Sequence, residues 1–162
     1  VVSLVRDPTV YTAFFISNQS LVFGFGLAIG IGIPLGLLIA RFRSAEGYID
    51  PYLSILLVTP MAALIPLLIM SLGLGLASRV VLVVVFSIPV VIVNARAGIR
   101  SVDANLIEMA TSYGAGERQI WREILLPGAL PAIMTGVRLG LGRAVTGMVI
   151  IELLMVAVGI GG

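Results

Sequence analysis

No charged residue stands between Asp7 and Arg41, and none between Asp50 and Arg79. A helix that crosses a bilayer needs roughly 20 mostly apolar residues, and both windows exceed that length. In lipid, backbone donors and acceptors must be satisfied internally, so an unpaired strand is not viable and a helix is the default. Hydrophobic residues make up 59% of the chain and charged residues 11%, where a soluble domain carries about a quarter charged. So little polar surface cannot cover a water-soluble globule of 162 residues. Lipid is therefore the solvent for much of the chain, and the expected fold is all-α, a polytopic transmembrane helical bundle.

Four spans are expected. The best first window is Leu21 to Ala40, with a more polar lead-in from Tyr11 to Ser20. The second has its apolar core at about Leu53 to Leu72, and the third, Val80 to Ala95, needs a few flanking residues to cross. The fourth runs from near Pro131 to about Val158, interrupted by Arg138, Arg143 and Glu152. All ten basic residues are arginine, and in a membrane chain this bias signals orientation rather than affinity for nucleic acid. The loop from Arg41 to Asp50 holds two arginines, and the long loop from Arg96 to Leu130 holds Arg96, Arg100, Arg118 and Arg122. The other face has only Arg79 in the short link after Gly73, with Arg6 near the N-terminus. The positive-inside rule places both richer loops in the cytoplasm, so the first span runs inward and the fourth leaves. The chain opens on Val1 and stops at Gly161-Gly162 directly after an apolar segment. It reads as one transmembrane domain over 1–162, with further helices expected on both sides.

The missing residue types exclude chemistry. Without lysine there is no Gly-rich phosphate loop ending in Lys-Ser/Thr. Without histidine or cysteine there is no Ser-His-Asp or Cys-His nucleophile, no zinc site of the usual ligands and no disulfide. An enzyme is disfavoured, and neither a metal nor a cofactor is expected.

Small residues recur at four-residue spacing in Gly26-Gly30, Gly32-Gly36 and Gly136-Gly140-Ala144. Such stripes let helix backbones approach closely in lipid, within one bundle or across a dimer seam. Pro34, Pro60, Pro66 and Pro89 lie mid-span, and each removes a backbone donor.

The polar island from Glu108 to Pro127 departs from all this. Asp103 is a plausible N-cap, and Leu106, Met109, Ala110 and Tyr113 follow as one apolar helical stripe. Gly114 supplies a stop by taking the left-handed conformation. A second short helix from about Glu117 to Leu125 puts Ile120, Trp121 and Ile124 on one side and Arg118 and Arg122 on another, with Pro127 ending it. Two short helices joined by a glycine turn make either a rigid inner-face knob or a solvated loop packed on its own helix ends.

Glu108-Met109-Ala110, three residues, Gly114, nine residues, then Ile124-Leu125-Leu126-Pro127 resembles the EAA–G–I-x-L-P signature of permease subunits of binding-protein-dependent ABC importers. Met109 is the departure, since alanine is usual there, and methionine is adaptable in packing. Gly32-Ile33-Pro34-Leu35-Gly36, Pro60 and Pro66, Gly98 to Asp103, and Thr135 to Ala144 are similar to the nitrate/sulfonate/taurine branch. The resemblance implies a type I importer permease fold with about six spans when complete, in a bacterial or archaeal plasma membrane. It implies two permease copies, often identical, two cytoplasmic ATPase subunits and an extracytoplasmic solute-binding protein. The 97–131 segment would then be the cytoplasmic coupling loop. Glu108, Met109, Ala110 and Gly114 would dock on the ATPase, and Ile124, Leu126 and Pro127 would anchor the knob to the bundle.

Charges within the fourth span need a partner or a wet cavity. Arg138 is placed to snorkel to the inner surface. Arg143 lies deeper, where it would either attract an anionic solute or pair structurally. Glu152 repels anions and is expected to accept hydrogen bonds from neighbouring helices or a second subunit. Both are candidates for the substrate path. An ATP-independent carrier or channel is the alternative function, although no internal repeat of the usual kind is visible. A membrane-embedded enzyme is a more distant one.

Overall fold

A computed structural model describes the backbone of residues 8–60, 63–73 and 75–159. Side chains through 14, at 16, at 43–46 and from 154 onward lie outside the described set, as do Arg6 and the arginine side chain at 43 that entered the orientation count. The described residues form helices α1 (Pro8–Arg41), α2 (Arg43–Val58), α3 (Leu64–Leu72), α4 (Leu76–Arg100), α5 (Ala104–Ser112), α6 (Glu117–Ile120) and α7 (Leu126–Gly159), with a π-helical turn (Trp121–Leu125) between the last two. Three stretches are long and apolar enough to cross a membrane: 17–41, 76–100 and 117–153. The all-α bundle expected from composition is the fold observed.

α4 is the central helix, and half of its best span window is buried, against 28% for α1 and 22% for α7. Glycines let both neighbours reach it. On α1 the buried stripe is Ser20, Gly24, Ala28, Gly32, Gly36 and Ala40, a strict four-residue repeat. Gly24 faces Val80 and Val83, Gly32 faces Ile88 and Val91, and Gly36 faces Ile92 and Ala95. The numbers rise together, so α1 and α4 run parallel. On α7, Gly136 faces Asn94 and Val91, Gly140 faces Val91 and Ser87, and Gly147 faces Leu82 and Phe86. Here one number rises as the other falls, so α7 runs antiparallel to α4. The small-residue stripe foreseen on the last span is thus a packing seam within the bundle. Gly26 and Gly30 face open space instead, a correction to the expected stripe on the first span.

Other boundaries also differ from expectation. The lead-in from Tyr11 to Ser20 is continuous with α1, because nothing in it breaks a helix. The Arg41–Asp50 loop contracts to Phe42, since charge alone does not disfavour helix and α2 starts at Arg43. The second window breaks into α2 and α3 around Pro60. Thr59 closes α2, its N–H and its hydroxyl both donating to the Ile55 carbonyl, and a proline at position 60 has no N–H with which to continue. The third span gains flanks at both ends and takes in Arg79.

Two apolar cores hold the bundle. One joins Ile65 of α3 to Leu82, Val83 and Phe86 of α4 and to Ala144, Met148 and Ile151 of α7. The other, near the arginine-rich end, joins Ala40, Ala95, Ile99, Leu125, Ala129 and Ile133. α2 lies against α1 and α4 through Leu53, Ile39 and Ile92, and Asp50 pairs with Arg96 at the rim.

Candidate functional site

The knob between α4 and α7 is built by local rules. The Asp103 carboxylate accepts from the Asn105 N–H at 2.9 Å and caps α5. Gly114 has φ +83°, the left-handed region that costs a residue with a Cβ. The Ala115 N–H donates to the Ala110 carbonyl at 3.0 Å and the Gly114 N–H to that of Thr111 at 2.9 Å. This pair of bonds is a Schellman motif, which satisfies the last carbonyls of α5. Gly116 then opens α6, its carbonyl accepting from Gln119 and Ile120 at 3.0 and 3.1 Å.

Pro127 does not end this second helix, contrary to expectation. The Leu126 N–H reaches back five residues to the Trp121 carbonyl, which widens the turn just before the proline. In a regular α-helix Pro127 would clash with the carbonyl four residues earlier; the π turn absorbs that conflict. One continuous helical path therefore leads from Glu117 through the membrane-length α7, and Pro131 lies inside it rather than before it.

Ala110, Gly114 and Ile124 come together in one cleft of about 220 Å³, along with Tyr113, Ala115, Gln119, Ile120 and Glu123. Glu108 and Met109 are exposed elsewhere on α5, Met109 at 53%. The apolar stripe Leu106, Met109 and Tyr113 faces outward, with Tyr113 exposed at 87%, and no element among the described residues covers it. The inner-core contact falls to Leu125, buried against Ala129 and Ile99 with Ile120 and Trp121 beside it. Ile124 faces the cleft, Leu126 is half-buried and Pro127 is exposed. Leu126 shares a cleft with Pro34, Leu37 and Trp121, and Leu125, which the sequence did not single out, is the buried residue of this turn.

Two further ties went unforeseen. A Cβ on Gly128 would lie 2.9 Å from the Val102 side chain, and one on Gly98 would lie 2.9 Å from the Ala129 carbonyl, so α7 leaves the knob in backbone contact with α4. Arg41, the last residue of α1, forms an ion pair with Glu117 at the start of α6. Glu117 carries its charge in the first turn of α6, and tertiary packing sets its partner.

The two charged candidates of the last span have different fates. Glu152 accepts a hydrogen bond from the Ser17 hydroxyl, and the Ser17 oxygen accepts from the Arg79 guanidinium at 3.3 Å. α1, α4 and α7 are thus tied by polar groups at the end of the bundle away from the knob. Arg143 is exposed and has no hydrogen bond or ion pair among the described residues. Its depth follows from the α4 register: Gly140 lies opposite Val91 and Ser87, and Gly147 opposite Leu82 and Phe86. Arg143 is therefore level with the middle of α4. An arginine at the centre of a membrane helix costs roughly 2.5–3.5 kcal/mol on insertion scales. Arg138 is exposed about one and a half turns nearer the knob. No group of three or more His, Cys, Asp or Glu side chains suited to a metal occurs among the described residues.

Long apolar helices packed at glycine seams, with a helical knob at their arginine-rich end, have the build of a multi-pass membrane protein. Residues 32–162 match the model of the binding-protein-dependent transport system inner membrane component family, and the chain belongs to that family. It is 32% identical over 155 residues to the taurine transport system permease protein TauC of Escherichia coli (96% of this chain, 56% of that protein). It is 36% identical over 146 residues to the putative aliphatic sulfonates transport permease protein SsuC of Bacillus subtilis (90% and 53%). With a probable ABC transporter permease protein of Brucella melitensis it shares 31% over 160 residues (99% and 65%). The chain thus spans between about half and two thirds of the length of these curated relatives. These likenesses bear out the resemblance to ABC importer permeases of the taurine and sulfonate type and a place in the prokaryotic inner membrane.

Proposed function

We propose that this chain forms the translocation path of an ABC importer for a small anionic solute of the sulfonate, nitrate or taurine kind, driven by a separate ATPase subunit. The observation that carries the reading is the knob. Its outer surface offers Leu106, Met109 and Tyr113 with no cover among the described residues, and its cleft is lined in part by Ala110 and Gly114. Its base is fused to the inner core through Leu125 and Val102–Gly128. A cytoplasmic ATPase gripping the knob at Glu108, Met109, Ala110 and Gly114 would therefore move α4 and α7 without any chemistry in this chain. A ligand can shift such a two-state bundle only by binding its states unequally, and nucleotide-driven closure of the partner supplies that difference. A second permease copy, identical in the simplest arrangement, completes the path, and a solute-binding protein delivers the solute from outside. The anionic class rests on the named taurine and sulfonate relatives and on Arg143.

Co-purification of the full-length permease with its ATPase, together with ATP-driven uptake in proteoliposomes, tests the reading. Gly114→Asp and Glu108→Lys are expected to lose both. If complex formation and uptake survive both changes, the docking role is wrong.

A further inference from the structure

A second cleft opens between the inner end of α1 and the π turn. Pro34, Leu37, Leu38 and Arg41 form one wall and Trp121 and Leu126 the other, around a space of about 270 Å³. Leu37 and Trp121 rest on the inner core beside Ala40, Ile99 and Leu125, so the floor is packed. The outer side is open, with Leu38 56% exposed. From Pro34 to Arg41 is about 10 Å along a helix, which carries the apolar wall from the arginine-rich surface into the span. Tryptophan favours this headgroup level, apolar on one side and wet on the other. The Arg41 guanidinium at the rim pairs with Glu117 and lies 5.7 Å from the Phe42 ring centre. Arg118, Arg122 and Leu126 follow at four-residue spacing and so form one row, which Leu126 brings to the cleft. Both arginines are exposed, with no ion pair among the described residues. Glu123 shares their hollow but accepts from Gln119 at 3.2 Å.

We infer that this cleft holds one anionic phospholipid of the cytoplasmic leaflet, its acyl chain along Pro34, Leu38 and Trp121 and its headgroup on Arg118 and Arg122. About 270 Å³ over about 10 Å of length is a channel roughly 5 Å across. That admits a hydrocarbon chain but not a helix, which with its side chains is about 10–12 Å wide. The apolar walls would accept any acyl chain, so the arginine row is what selects. Guanidinium forks match phosphate oxygens, and basic pockets between helices on the cytoplasmic side are where anionic headgroups bind. The inference needs the arginine-rich end to be cytoplasmic, and it needs neither transport nor a docked ATPase.

The chain contains a single tryptophan, and it lines the cleft, so its fluorescence reports the occupant. The assembled full-length transporter is placed in bilayers of phosphatidylcholine and phosphatidylglycerol, one or the other carrying brominated acyl chains that quench indole. The signal of Trp121 is the difference between this protein and Trp121→Phe. Brominated phosphatidylglycerol is expected to quench it several-fold more efficiently per mole than brominated phosphatidylcholine. Arg118→Gln with Arg122→Gln should bring the two lipids to parity, and Arg118→Lys with Arg122→Lys should keep most of the preference. An unquenched Trp121 would show that another helix or a second copy fills the cleft, and would overturn the inference. Equal quenching by both lipids would overturn it as ordinary boundary lipid. A preference that survives the double glutamine change would also overturn it, and release of the ATPase by that variant would assign the arginines to that partner instead. Uptake is not a readout, so failure of the import reading would leave this result standing, and a cleft without lipid would leave the import reading standing.

Discussion

Arg41, the last residue of α1, and Glu117, the first residue of α6, are ion-paired across 76 residues of sequence. Their side chains are 42% and 65% exposed, and pairs this open contribute at most about 1 kcal/mol. Arg41→Glu is expected to lower the unfolding midpoint of the purified permease slightly, and Glu117→Arg in the same chain to restore it. Thermal unfolding at low and high salt checks this, because screening should erase the difference.

The glycine seams predict a sharp contrast. A Cβ on Gly36 would sit 2.6 Å from the Ile92 carbonyl oxygen and 2.7 Å from the Ala95 Cβ, and backbone cannot yield as a flexible side chain does. Gly36→Leu should cost about 1–3 kcal/mol or more through overpacking. Gly30→Ala, with open space around it, should be neutral or stabilising by up to about 1 kcal/mol. Unfolding in detergent ranks the two directly.

At Gly114 the backbone rather than space is limiting, since φ is +83° and nothing lies within 4 Å of a Cβ there. Gly114→Ala should strain the turn by about 1–2 kcal/mol and weaken retention of the ATPase. Asparagine visits that conformation more readily, so Gly114→Asn should retain more partner than alanine does. Pull-down of the ATPase by each variant separates a conformational role from a purely steric one, for which asparagine would be the worse of the two.

Ser17 donates to a carboxylate in a partly buried setting, and hydrogen bonds to charged groups are worth about 1.5–3 kcal/mol. Ser17→Ala is expected to destabilise by an amount in that range. Ser71→Ala, at an exposed serine bonded to its own helix at 3.2 Å, should change stability by less than about 0.5 kcal/mol. Paired thermal unfolding curves decide it.

Long, mostly apolar windows made α1, α4 and α7 legible in the sequence, because hydropathy reports the solvent of a helix directly. It is blind to backbone continuity, so the break at Thr59–Pro60 and the helix through Arg43 to Asp50 were not legible. The cap at Asp103 and the turn at Gly114 were legible, being local chemistry within a few residues. The π turn at Trp121–Leu125 was not, and without it Leu125 could not be told from Ile124 as the buried one. Glycine phase was ambiguous for a similar reason. Gly26 and Gly32 look alike in a list, and only the β-branched Val83 and Val91 across the seam decide which face of α1 is used. The polar tie of Ser17 to Glu152 joins residues 135 positions apart, beyond any local pattern.

The backbone-close contacts of α4 with both neighbours have a mechanical corollary. Gly36 against Ile92 and Gly136 against Asn94 leave no slack for one helix to slide a turn past another, since tightly packed interiors transmit strain instead of absorbing it. A push entering at Glu117 would therefore swing α1, α4 and α7 as a single plate. The place left to bend is the interrupted α2–α3 rod, whose severed hydrogen-bond ladder beside Pro60 is the natural crease.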